Sequence, residues 1–124
     1  MAKKSEKTAT NLADLAVEAI QDVKGKEIIS IDLREIPNAV SEYFIVCHGS
    51  SDTHVEAIAR SVEKHLFTEA GEDPLHKEGT DKAEWILLDY FNVVVHIFRE
   101  EARRFYNLEK LWADADVKEI QHSY

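Results

Sequence analysis

The chain has 124 residues, 44% of them apolar, a net charge of −9 and a single cysteine. That length and apolar content suit one domain around one core; no apolar run approaches the roughly 20 residues of a membrane span, and the first residues, with Lys3, Lys4 and Lys7, lack the apolar centre of a secretory signal. The acidic balance disfavours nucleic acid, whose binders carry a basic face, and favours a basic protein partner, while a lone Cys47 inside an apolar run suits a reducing, cytosolic setting.

Residues 1–9 are polar and aperiodic and read as a flexible tail. Leu12, Leu15, Ala16, Ala19, Ile20 and Val23 then recur at helical spacing, with Thr10 or Asn11 as the cap and Gly25 as the stop. Residues 27–33 alternate, with Ile29, Ile31 and Leu33 on one side and Ser30 and Asp32 on the other, the pattern of a half-buried strand. Pro37 and Asn38 mark residues 34–42 as a loop, and the apolar run 43–47 is a second strand. After it comes a strand-to-helix junction. Ser51 or Asp52 is placed to cap a helix whose buried stripe is Val55, Ile58, Val62 and Leu66, ended by Gly71 and Pro74. Residues 72–84 are polar, with 75–77 as a candidate edge strand.

Residues 85–88 and 93–98 are short apolar runs flanking Asp89 and Asn92, which tolerate turn geometry, so they read as a hairpin. From Glu100 onward Ala102, Phe105, Leu108 and Leu111 recur as one core-facing helical stripe. Arg103 and Arg104 pair with Glu100 and Glu101 on a solvated face, and residues 113–124 read as a loose C-terminal tail. The element order implies an α/β fold, a mixed β-sheet covered by helices.

Candidate chemistry is sparse. Gly49 and Ser50, between a strand and a helix, invite comparison with a nucleotidyltransferase-like nucleotide-binding module, but the Asp-x-Asp pair that would hold magnesium downstream is missing. Asp114 and Asp116 have the spacing yet sit in the tail. Cys47 and His48 are strand neighbours on opposite faces and cannot readily share an ion with His54. Ser50, Asp52 and His54 lie too close in sequence to align as a triad, and His96 reads as a hydrogen-bonded core or face histidine. No catalytic residue, metal site or cofactor is expected. The aromatic residues Tyr90 and Phe91 at the hairpin tip, with Trp85 and Trp112, are either tucked under a helix or offered to a partner.

The ordered set of Tyr43 through Cys47 with Gly49 and Ser51, His54, Val55, Ala57 through Ala59, Trp85 through Asp89, Val93 through Phe98, Arg103, Phe105, Tyr106, Leu108, Glu109, Leu111 and Trp112 resembles the ribosomal silencing factor family, also called RsfS or Iojap-like. The domain it implies spans residues 10–112. The resemblance implies a nucleotidyltransferase-like fold lacking catalytic carboxylates. It also implies a non-enzymatic, cytoplasmic repressor of translation that binds ribosomal protein fourteen of the large subunit and blocks subunit joining in starved or stationary cells. A homodimer is implied for the free state, with a partner-binding face at Trp85, Leu87, Asp89 and Tyr90. The alternatives are the nucleotide-binding module or a homodimeric scaffold with another protein partner. Three departures stand out: Glu42 where Asp is usual, His48-Gly49 where Ser-Gly is usual, and Phe91 where the hairpin turn usually has glycine. The last puts a bulky side chain where positive φ is expected.

Overall fold

A computed structural model of the chain describes residues 9–120. The elements in order are α1 (Ala9–Asp22), β1 (Lys26–Asp32), β2 (Tyr43–Gly49), α2 (Asp52–Ala70), β3 (His76–Glu78), β4 (Trp85–Asp89), β5 (Val93–Arg99), α3 (Glu100–Tyr106), α4 (Leu108–Leu111) and β6 (Asp116–Glu119). Among the described residues one six-stranded sheet forms, in the order β3-β4-β5-β2-β1-β6. Only β2 and β5 run parallel, joined by the crossover through α2; the remaining neighbours are antiparallel. The expected mixed α/β architecture is therefore present. No described helix is long and apolar enough to cross a membrane.

Strand alternation divides the core in two. Tyr43, Ile45 and Cys47 of β2, Val93, Val95 and Ile97 of β5, and Ile86 and Leu88 of β4 face α1 and α2. Phe44, Val46, Val94, Phe98, Ile29, Ile31 and Leu33 face the other way, toward α3, α4 and the loop after β1. All seven residues of β2 are buried because the central strand has a layer on each side, which is why it reads as an unbroken apolar run. The α2 helix starts and stops as its sequence dictates: Ser51 accepts from the His54 backbone N–H, and Gly71 closes it in the left-handed conformation.

Four expectations need correction. The C-terminal stripe is not one helix, because Asn107 takes φ 48° and breaks it into α3 and α4. Leu108 is buried, whereas Phe105 before the break and Leu111 after it are 81% and 72% exposed. Arg103, expected in solvent, is 3% exposed. Residues 113–124 are not a loose tail throughout, since Asp116–Glu119 pairs antiparallel with β1. An exposed edge strand is held by backbone bonds, so no apolar alternation announces it. Residues 9 and 10 are already helical, so neither Thr10 nor Asn11 is the cap, and the rest of the proposed N-terminal tail lies outside the described residues.

Candidate docking face

The hairpin carries the most distinctive surface. Pairing Trp85 with Phe98 and Leu87 with His96 fixes the register of β4 against β5. Trp85, Leu87 and Asp89 point to the α3–α4 side and are half-buried. Tyr90 does not join them. It lies on the opposite side of the sheet, 5% exposed within the α1–α2 core, where burial raises its phenol above the usual range. Its expected place on the docking face is therefore corrected: one residue's shift along the strand changes faces. Phe91 is the aromatic that the tip offers to solvent, 67% exposed with φ 76°.

A continuous row of rings crosses this side. Trp112 meets the edge of Phe44 at 5.8 Å, and Phe44 meets His96 at 4.6 Å. His96 neighbours Trp85, whose indole lies 4.8 Å from Phe98 and 4.7 Å from Tyr106. Phe105 continues the row, 5.1 Å from Tyr106. Exposure rises along it, from 4% at His96 to 46% at Tyr106 and 81% at Phe105. The Trp85 Nε1–H donates to His96 Nδ1 at 3.1 Å, so the neutral imidazole carries its proton on Nε2, which is buried without a partner. Burial pushes His96 down to about 4. Beside the row, Glu84, Arg99, Glu101, Ala102, Phe105 and Tyr106 line a shallow hollow of about 230 Å³.

Below the row sits an ion pair between buried Arg103 and half-buried Glu109. Arg103 donates through Nε and Nη2 to Glu109 Oε2 at 3.0 and 2.9 Å, and through Nη1 to His48 Nδ1 at 3.0 Å. Burial, then the Arg103 charge, lowers the His48 pKa. Arg103 and Glu109 also border a hollow of about 570 Å³ whose other wall is the paired strands β1 and β6.

The Gly49–Ser50 turn is occupied by structural bonds. The Ser50 backbone N–H donates to His54 Nδ1 at 2.9 Å, and His54 Nε2 donates to the Val23 carbonyl at 2.8 Å, tying α1 to the start of α2. Gly49 is needed there because a Cβ would come within 3.2 Å of the His54 ring. Cys47 is buried, its thiol pushed up to about 12 by desolvation, and faces away from His48. Among the described residues no group of three His, Cys, Asp or Glu could hold a metal ion.

Of the four residues that the family resemblance put on one face, Trp85, Leu87 and Asp89 share a side of the sheet and Tyr90 does not. Sequence reasoning missed His96, Tyr106 and Phe105 as their neighbours. The hairpin register carried a signal for His96, diagonal to Trp85 across β4 and β5; none existed for Tyr106, whose position depends on where α3 turns back over the sheet.

Residues 6–124 match the family model described as ribosomal silencing factor during starvation. The chain is 40% identical over 110 residues to the ribosomal silencing factor RsfS of Bacillus subtilis, covering 89% of this chain and 92% of that one. It is 30% identical to the mouse mitochondrial assembly of ribosomal large subunit protein 1, covering 80% of this chain and 44% of that protein. The crystal structure of a Chromobacterium violaceum protein superimposes with a TM-score of 0.80 at 38% identity, covering 86% of this chain and 87% of that one.

Proposed function

We propose that this chain, which belongs to the ribosomal silencing factor family and has its role in ribosome silencing, acts by occlusion. Trp85, Leu87 and Asp89 dock on ribosomal protein fourteen of the large subunit, and the bulk of the domain then keeps the small subunit from joining. No bond is made or broken, and no cofactor takes part. The observation that carries this reading is the row of rings centred on half-buried Trp85, running to exposed Phe105 on a sheet whose other side is covered by α1 and α2. Aromatic residues with one side packed and one side open are the usual anchors of protein interfaces. The charge of −9 supports a basic ribosomal protein as the partner, by steering encounter.

Trp85→Ala is expected to weaken binding to isolated large subunits by about 2 kcal/mol, near thirtyfold, while the domain stays folded. Co-sedimentation measures the affinity, and light scattering on mixing subunits measures the block to joining. Unchanged affinity in a folded variant would remove Trp85 from the interface. The free chain is further proposed to be a cytoplasmic homodimer, supported by the large apolar side chains Phe105 and Leu111 left exposed. Sedimentation equilibrium checks this: a single monomer mass across the micromolar range excludes it.

A further inference from the structure

Trp85 has a polar atom to satisfy inside an apolar row. Its indole N–H points along the sheet at His96, and His96 Nδ1 accepts it at 3.1 Å. The histidine is 4% exposed, pressed by the edge of Phe44 and the ring of Phe98. Accepting at Nδ1 leaves its Nε2–H buried with no partner, an arrangement that works against stability. An apolar residue on this strand would avoid that loss. It would also leave the indole N–H without its acceptor, and the ring would gain by swinging that N–H toward water, off its stack on Phe98 and its tilted contact with Tyr106.

We infer that His96 is a positioning residue for docking: by accepting the Trp85 N–H it holds the indole in the orientation the partner surface meets. This rests on the reading of Trp85 as an anchor. Holding the ring before contact removes an ordering cost from the binding step, which is how a residue that touches no partner strengthens an interface.

The test uses the full chain, isolated large ribosomal subunits and three variants. Asn places its side-chain oxygen at the δ position, where His96 Nδ1 sits; Gln moves the acceptor outward; Leu removes it. His96→Asn should bind within about threefold of the parent, whereas His96→Leu and His96→Gln should lose about tenfold, the effect of one hydrogen bond. The Trp85 indole ¹H–¹⁵N resonance, read in a Trp112→Phe background, should keep the parent position in the Asn variant and move in the Leu variant. In a Trp85→Phe background, which has no N–H, His96→Leu should add nothing further. Parent-like affinity of folded His96→Leu overturns the inference, as does equal loss in the Asn and Gln variants. Should the Leu variant fail to fold, the contrast between Asn and Gln decides alone. Normal docking by Trp85→Ala would instead sink the docking reading itself; loss in Trp85→Ala with none in His96→Leu sinks only the role of His96.

Discussion

Arg103 brings a permanent positive charge into a site that is 3% exposed, and it is held there by Glu109, by His48 Nδ1 and more weakly by the Lys26 carbonyl at 3.4 Å. Those contacts join α3 and α4 to β1 and β2, so this side chain adds a polar tie to the apolar packing of the second core. Removing one partner of a buried pair leaves the others desolvated and unpaired. Arg103→Ala is therefore expected to destabilise the domain by about 3 kcal/mol, read from the urea midpoint. Lys should recover little, since one ammonium cannot fork to a carboxylate and an imidazole together. A loss below about 1 kcal/mol would mean that the contacts are solvated. From the sequence, Arg103 and Arg104 look alike. Only Arg104 keeps the expected partner, Glu100, at 2.8 Å on the surface; which of two adjacent arginines turns inward depends on how α3 leaves β5.

At the scale of elements, the tip of the β4–β5 hairpin holds a bulky residue in a strained backbone conformation. Phe91 holds φ 76°, a backbone region that costs a non-glycine residue roughly 1–2 kcal/mol. The tip is nonetheless tied on several sides. Asp89 Oδ1 accepts the Phe91 N–H at 2.7 Å, and Ser41 Oγ donates to the Phe91 carbonyl at 3.2 Å. With its ring 67% exposed, Phe91 contributes little packing to offset the strain. Phe91→Gly should thus stabilise the domain, by about 0.5–1 kcal/mol once the greater freedom of the unfolded glycine chain is counted. Thermal unfolding of the variant checks the sign, and a lower midpoint would show that the ring packs more than its exposure suggests. The hairpin was legible because two short apolar runs flanked turn-forming residues. The separation of α3 from α4 was not, because an asparagine inside an apolar period reads as an ordinary helical position until its backbone turns left-handed.

For the molecule as a whole, two buried histidines couple stability to pH. Burial holds His96 near 4 and lowers His48, whereas an unfolded histidine titrates near 6.5. Below about 6.5 the unfolded chain takes up protons that the folded chain refuses, so both contributions are complete above that value and fall with pH, that of His96 being lost as pH falls toward about 4. His96 alone accounts for roughly 3 kcal/mol over that window. Urea unfolding at pH 7 and pH 5 should show the fall, and His96→Asn should flatten much of it. An equally steep slope in that variant would assign the effect elsewhere.

The sequence by itself determined what depends on near neighbours along the chain: the α1 and α2 stripes, the all-buried central strand, the hairpin, and the start of α2 at Ser51 or Asp52 and its stop at Gly71. Periodicities of 3.6 and 2.0 and the chemistry of caps and turns are local, and they survive into the fold unchanged. Tertiary structure alone decided that Tyr90 is sealed while Phe91 projects, that Arg103 is interior, that residues 116–119 close the sheet edge beside β1, and that Tyr106 flanks Trp85. Each of these depends on two segments distant in sequence meeting at a particular angle, and no single segment encodes that angle.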